Sequence, residues 1–375
     1  MYKYHILILI LFINSISACA QKQRDFKYRS VPKTINLERS QFEIPSVRFV
    51  DLTKYLPGGF VNDGSKDYTE YIQKALDENL NVIFPDFPLL INDKGLSFKS
   101  GSVVKFQRGS KLVLKPSRKS TYYMVKIHDK RNVILINPVL EGDRKRHLGK
   151  GGEWGMGIDI RGSEGIKILN PIVRNCWGDG IYIGQMSGKP SKGVEIVNAF
   201  LDYNRRNGLS ITSGSQISIK SPVISNTNGT LPMCGIDIEP NNNQDLIDDI
   251  LIENAYTFNN TNSGLIIGLG KLIGPLNKQV NINIRNHIDE GSDIGFYFGG
   301  ILPIDRKKGK SLQGTINVEN PSWNNNVSRP ILTRRGFGRA PHLRISNPKT
   351  KHSNVKYSVK EIKRNYTNNS NIEVF

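Results

Sequence analysis

The sequence predicts an all-β solenoid, a stack of short strands wound into coils, and two repeating patterns predict it. One strand phase ends in Asn and returns about every 30 residues. It reads V-I-L-I-N-P (Val133 to Pro138), I-K-I-L-N-P (Ile166 to Pro171), V-E-I-V-N-A (Val194 to Ala199) and I-S-I-K-S-P (Ile217 to Pro222). It continues as I-L-I-E-N-A (Ile250 to Ala255), I-N-I-R-N-H (Ile282 to His287), I-N-V-E-N-P (Ile316 to Pro321) and L-R-I-S-N-P (Leu343 to Pro348). A second phase lies between these and opens on Gly, as in Gly157 to Ile160, Gly180 to Ile183, Gly208 to Ile211, Gly235 to Ile238, Gly264 to Ile267 and Gly295 to Phe298. Alternation with period 2, punctuated by Asn, Gly and Pro, reads as strands and turns. A fixed period of this size with no helical segment inside it marks a solenoid.

The N-terminus lies outside that repeat. Lys3 precedes an apolar run, Ile6 to Ile13, too short to span a bilayer and shaped like the core of a secretory signal. The run ends in Ile16-Ser17-Ala18-Cys19, which resembles a bacterial lipoprotein signal in which Cys19 is acylated. Residues 1–18 are therefore expected to be a signal peptide and 19–48 a polar tether. The solenoid should then fill 49–348, with a basic tail over 349–375. The implied location is the bacterial cell envelope, with the membrane reached only through the lipid anchor. Neither membrane face nor oligomeric state, monomer or homotrimer, follows.

The chain of 375 residues carries 52 Lys and Arg against 33 Asp and Glu, a net charge of +19. From Arg334 to Arg364 ten basic residues face Glu361 alone, and Arg144-Lys145-Arg146 with Lys150 forms a second cluster. An exported basic protein meets acidic glycans or headgroups, and nucleic acid is not expected as a partner. Cys176 and Cys234, beside strands two rungs apart, are expected as buried free thiols. No Cys/His cluster has metal-ligand spacing, so no metal is expected.

Ahead of the repeats, Glu70 to Leu80 carries Tyr71, Ile72, Ala75 and Leu76 at helical spacing, with Asp67 or Thr69 as its cap. A short helix suits the open end of a solenoid, where an unpaired sheet edge must be covered. The run V-N-D-G-S-K-D-Y-T-E-Y-I-Q-K-A-L-D (Val61 to Asp77), followed by N-V-I-F-P (Asn81 to Pro85), resembles the N-terminal segment of pectate-lyase-like proteins. These are right-handed parallel β-helices. The resemblance implies a single-stranded right-handed parallel β-helix of about ten coils. It leaves the reaction open, because that superfamily includes polygalacturonases, other glycoside hydrolases, lyases, epimerases and phage tailspikes.

In the Gly phase the apolar positions point inward, so the third and fifth residues of each unit point outward and stack from coil to coil. The expected ladder is Lys126/His128, Asp159/Arg161, Tyr182/Gly184, Ser210/Thr212, Asp237/Glu239, Ile266/Gly268 and Tyr297/Gly299. Carboxylates, bases, tyrosines and glycines in one strip suit a glycan. Lys126, His128, Asp159, Arg161, Tyr182 and Tyr297 are therefore candidate substrate contacts. Trp154 joins them as a stacking residue on Glu141 to Gly155, read as a flexible basic lip.

Asp237 and Glu239 sit at i and i+2, a separation suited to the paired carboxylates of a glycosidase. Asn175-Cys176-Trp177-Gly178-Asp179-Gly180-Ile181 is similar to the N-x-D-G-I segment of polygalacturonase-type hydrolases, which makes Asp179 the matching catalytic carboxylate. The adjacent Asp-Asp on the next rung, the Gly-His-Gly and the Arg-Ile-Lys of that group are missing. The expectation is a glycoside hydrolase cleaving an acidic polysaccharide with no cofactor. The alternatives are a polysaccharide lyase, which needs a cation and a base such as Lys126, His128, Arg161 or Tyr182 and is compatible with Ca²⁺, and a non-catalytic glycan-binding protein. The repeated Asn137, Asn170, Asn198, Asn254, Asn286, Asn320 and Asn347 are expected as an internal ladder that satisfies turn backbone groups.

Overall fold

A computed structural model describes residues 25–37, 41–42, 47–300, 311–333, 340–366 and 371–375. Cys19, the signal segment and Arg334 lie outside these residues. Three parallel sheets, of twelve, nine and ten strands among the described residues, wrap one apolar core. Successive strands enter the three sheets in turn. The Asn-phase strand Glu164–Leu169 lies in the twelve-stranded sheet, Ile172–Arg174 in the ten-stranded sheet, and Ile181–Gly184 in the nine-stranded sheet that carries the Gly phase. This is the right-handed parallel β-helix of about ten coils that the repeats imply.

The apolar periodicity becomes stacked layers inside. Ile166, Val194, Ile217, Ile250, Ile282, Ile316 and Leu343 are in register through six consecutive strand pairs. All are buried. Each rung therefore buries a β-branched or Leu side chain against similar aliphatic neighbours, and burial of one such residue is worth roughly 1.5–3 kcal/mol.

Both ends are covered. Helix α1 (Thr69–Glu78) turns Thr69, Ile72, Ala75 and Leu76 onto the first coil. Tyr71, expected on that face, is 40% exposed. Asp67 Oδ1 accepts from the Thr69 N–H at 3.1 Å and the Thr69 hydroxyl at 2.6 Å, one residue before the actual cap, Tyr68. The segment read as a basic tail is instead structured where it is described. Helix α2 (Val359–Tyr366) buries Ile362, and Ile372–Val374 pairs with His342–Ser346, closing the last edge of the twelve-stranded sheet. The physical reason is the same at both ends, since unpaired strand edges need a partner.

The segment read as a tether also packs onto the solenoid. The Tyr28 hydroxyl donates to Asp202 at 3.0 Å, and the Asn226 side chain brackets Arg29, accepting from its N–H at 3.1 Å and donating to its carbonyl at 2.9 Å. Phe42, Val47 and Phe49 cover Val103, Ile136 and Leu169. Cys176 and Cys234 are buried free thiols as expected, and burial raises both well above the ordinary thiol range.

The Asn ladder is real but differs in kind from the expectation. Asn137, Asn170, Asn198, Asn254, Asn286, Asn320 and Asn347 all sit in the left-handed region, with φ of 49–57°. Their amides bond to one another, as from Asn170 to Asn137 at 2.7 Å and from Asn286 to Asn254 at 2.9 Å. Asn286 and Asn320 are exposed. Asn is selected because it tolerates the left-handed turn and bonds along the axis.

Candidate functional site

Strand register places the predicted strip as written. Lys126, Asp159, Tyr182, Ser210, Asp237, Ile266 and Tyr297 are consecutive Cα partners across the nine-stranded sheet. His128, Arg161 and Gly184 form the neighbouring column. The last rung departs from expectation, because an irregularity after Ile267 pairs Gly268 with Gly300 rather than Gly299.

The strip is not an exposed face. Asp159, Tyr182, Ser210 and Asp237 are 0–2% exposed, and Thr212 and Tyr297 are also buried. A second layer of side chains covers Tyr182. The Arg161 guanidinium lies 4.2 Å from the Tyr182 ring centre, and Trp154 meets that ring edge-on at 6.1 Å. Tyr182, expected as an outward substrate contact, is thus buried beneath these side chains. Gly184 serves Tyr182 rather than a ligand, because a Cβ there would lie 2.6 Å from the ring and 2.7 Å from Thr212 Oγ1.

Asp179, Asn207, Ser210 and Asp237 form one buried network. The Asn207 N–H donates to Asp179 Oδ1 at 3.0 Å, and its side-chain amide donates to Asp237 Oδ2 at 2.9 Å and to Ser210 Oγ at 3.0 Å. Ser210 in turn donates to Asp179 Oδ2 at 2.7 Å. Arg206 Nη1 reaches both Asp179 oxygens, at 3.0 and 3.3 Å. Its Nε lies 3.4 Å from Glu153, and its guanidinium stands over Trp154. Burial opposes the Arg206 charge, but Asp179, Asp237 and Glu153 outweigh it and hold the cation. Both Asp179 oxygens therefore have donors.

Asp237 differs. Its Oδ1 is buried and has no hydrogen-bond partner. Burial, and then the adjacent Glu239, push its carboxyl up to about 7 against the pull of Arg206 and Asn207. Buried carboxylate oxygens are nearly always paired, so an orphan beside a raised acid is a candidate for chemistry. Glu239 is more open, with 38% of its side chain exposed and Lys271 Nζ at 3.6 Å. The backbone at Gly268 is open beside Glu239, since a Cβ there would find only the Glu239 side chain, at 3.6 Å.

A second cluster lies on the rungs before Tyr182. Asp159 Oδ2 accepts from Arg161 Nε at 2.7 Å and faces His128 Nε2 at 2.5 Å, while Asp159 Oδ1 is buried without a partner. Tyr123 meets His128 edge-on at 5.4 Å.

The basic lip is anchored rather than free. Asp143 is fully buried and takes hydrogen bonds from the Ser117 N–H at 2.8 Å and the Tyr122 hydroxyl, and faces His147 Nδ1 at 2.8 Å. Arg144 donates to the Tyr203 carbonyl at 2.7 Å and stands over its ring. These anchors fix Glu153 and Trp154 beside Arg206. A cavity of about 190 Å³ lies at the C-terminal cap, between Arg329–Thr333 and α2, and shares no residue with either cluster.

Sequence reasoning did not single out Arg206, Asn207, Lys271 or Tyr123. A signal for Asn207 was present, because the residue before each Gly of the second phase occupies one column and Asn207 there follows Asp179.

No family model matches the chain. Over 111 residues it is 32% identical to an uncharacterized protein, YorA, derived from the SPbeta prophage of Bacillus subtilis; the match takes in 27% of this chain and only 18% of that protein. Among solved structures, the A-module of the mannuronan C-5 epimerase AlgE4 of Azotobacter vinelandii superposes with a TM-score of 0.56 at 15% identity, covering 80% of this chain and 87% of that one. A tailspike of Acinetobacter baumannii bacteriophage Fri1, a capsular polysaccharide depolymerase, gives 0.55 at 14%, covering 89% and 62%. The endo-xylogalacturonan hydrolase of Aspergillus tubingensis gives 0.52 at 14%, covering 79% and 91%. These likenesses show the fold, a right-handed parallel β-helix.

Proposed function

We propose that the chain is an exported, lipid-anchored enzyme of the bacterial cell envelope that hydrolyses an acidic polysaccharide. Asp237 is the general acid and Glu239 the base that activates water. The observation that carries this reading is the state of Asp237: buried, raised to about 7, with one oxygen unpaired and a second carboxylate two residues away on the same strand direction. A carboxyl kept protonated near neutrality can give its proton to a glycosidic oxygen, and i, i+2 spacing leaves room for a water, as in inversion. Asp179, with both oxygens occupied, acts through Asn207 and Ser210 as a positioning residue. The fold neighbours that act on polysaccharides support the substrate class, and the charge of +19 supports an acidic one.

The lyase reading rests on its own cluster, where Arg161 supplies a cation and His128 a base. Incubation of the full chain with acidic polysaccharides separates the two. New reducing ends without ultraviolet absorption, lost in Asp237→Asn, are expected. Unsaturated products lost in His128→Gln but retained in Asp237→Asn would replace hydrolysis with elimination.

A further inference from the structure

The Arg161 cluster is built in a way that hydrolysis at Asp237 does not use. Arg161 is held at one edge only, through Nε to Asp159 Oδ2, and its plane is fixed against Tyr182. Among the described residues neither of its Nη atoms meets a hydrogen-bond acceptor. The Asp159 charge outweighs burial and keeps Arg161 more basic than usual. Lys126, the Cα partner of Asp159 on the preceding rung, is half-buried, and no carboxylate among the described residues pairs with it. His128 sits against the same carboxylate. The single anion here, Asp159, is shared between His128 and Arg161, so the cluster carries spare positive charge.

A guanidinium fixed by one edge and one face, with its fork left open, is preorganised for a planar anion. Preorganisation matters because the side-chain entropy of fixing a free arginine has already been met by Asp159 and Tyr182. The orphan Asp159 Oδ1 beside it is an acceptor for a hydroxyl donor. Carboxylate and hydroxyl on one ring is the chemistry of a uronic acid.

We infer that Arg161, with Lys126, His128 and Asp159, forms a uronate-binding subsite three rungs from Asp237. Three rungs at about 4.8 Å place it about 14 Å along the axis from Asp237. The inference rests on the reading of the chain as acting on an acidic polysaccharide, and adds that one sugar of the chain is read by its carboxylate at a fixed distance from the cleaved bond. Oligomers too short to bridge that distance gain nothing from Arg161.

The test measures binding on the Asp237→Asn full chain, so turnover plays no part. The probes are oligomers of galacturonate, mannuronate and glucuronate, each beside its counterpart with carboxyls reduced to alcohols. At least one oligouronide should bind more tightly than its reduced form. Arg161→Gln should weaken the acid form by at least about tenfold and leave the reduced form within about twofold. Should Arg161→Gln fail to fold, Arg161→Lys keeps the charge without the fork and should lose part of the preference. No preference for acid forms across the panel, or equal weakening of both forms, would overturn the subsite. Acid-selective binding through Arg161 in a wild-type chain that cleaves nothing would sink the hydrolase reading and leave the subsite standing.

Discussion

Asn207 donates its side-chain amide to Asp237 at 2.9 Å while its backbone N–H holds Asp179 at 3.0 Å, so one residue spans two buried carboxylates. The bond to Asp237 favours the charged form and opposes burial, which leaves that carboxyl at about 7. If Asp237 is the acid, activity requires its protonated form and should fall as pH rises through about 7.

Removing the Asn207 amide removes a stabiliser of the Asp237 carboxylate. Asn207→Ala should therefore move the alkaline limb of kcat/KM to higher pH and lower the rate at its optimum. It should also destabilise the fold by roughly 1–3 kcal/mol, since Asp237, Ser210 and the Cys234 N–H lose a partner while the backbone N–H still holds Asp179. An alkaline limb that stays in place would separate Asp237 from the chemistry.

Another raised carboxyl lies in the core and touches no candidate chemistry. Asp289 accepts from Thr257 and Ser292 at 2.7 Å and from Asn326 at 2.6 Å, yet burial pushes it up to about 7. In the unfolded chain both Asp237 and Asp289 return to about 3.9. The folded state thus holds its protons more tightly, and this stability is complete below pH 4 and is lost as pH rises through about 7. Each residue contributes on the order of a few kcal/mol to that fall. Asp289→Asn should shrink the drop in Tm between pH 5 and pH 8, helped by the unpaired Asn326 Oδ1, which can turn to accept the new amide. An unchanged drop would show that Asp289 is ionised throughout.

Fold and strip were legible because both depend on period alone. Alternation decides which side chains point inward, and recurrence decides which stack, so the column from Lys126 to Tyr297 follows from sequence arithmetic. Burial of that column was not legible. It depends on Arg161, Trp154 and Arg206 folding back over the sheet, and on Asp143 anchoring a lip whose composition reads as solvated loop. The left-handed turns were missed for a similar reason: an Asn that bonds its own turn and an Asn that adopts positive φ look alike in sequence. The ends misled because basic composition masks the apolar contacts of Val47, Phe49, Ile362 and Ile372.

The Asn turns give a test of local strain. Asn320 has φ of 50°, donates to Asn286 at 3.3 Å and accepts from Asn347 at 3.2 Å. Asn320→Ala puts a Cβ-bearing residue without a side-chain bond into the left-handed region, at a cost of about 1–2 kcal/mol. Asn320→Gly loses the same hydrogen bonds but relieves the backbone, so it should be the milder change. Thermal unfolding of both variants decides it, and equal losses would assign the cost to the ladder rather than to φ.

The last prediction concerns Gly184, where space and not backbone conformation is at stake. The Tyr182 ring lies close to this glycine and its hydroxyl accepts from Thr212 at 2.8 Å, while Arg161 stands over the same ring. Gly184→Ala would place a methyl group 2.6 Å from the ring, so the ring must lift, break the Thr212 contact and displace Arg161. Overpacking of this kind costs about 1–3 kcal/mol. Tyr182→Phe, which removes only the hydroxyl, should cost less, near 1 kcal/mol. Combining Gly184→Ala with Tyr182→Leu frees the space the methyl needs, so the double variant should be more stable than the sum of its parts. Arg161 would keep only the more distant Tyr123 ring there, at 5.7 Å, and acid-selective binding should stay weak even where stability returns. Strict additivity of the two changes would mean that the ring and the glycine do not share this space.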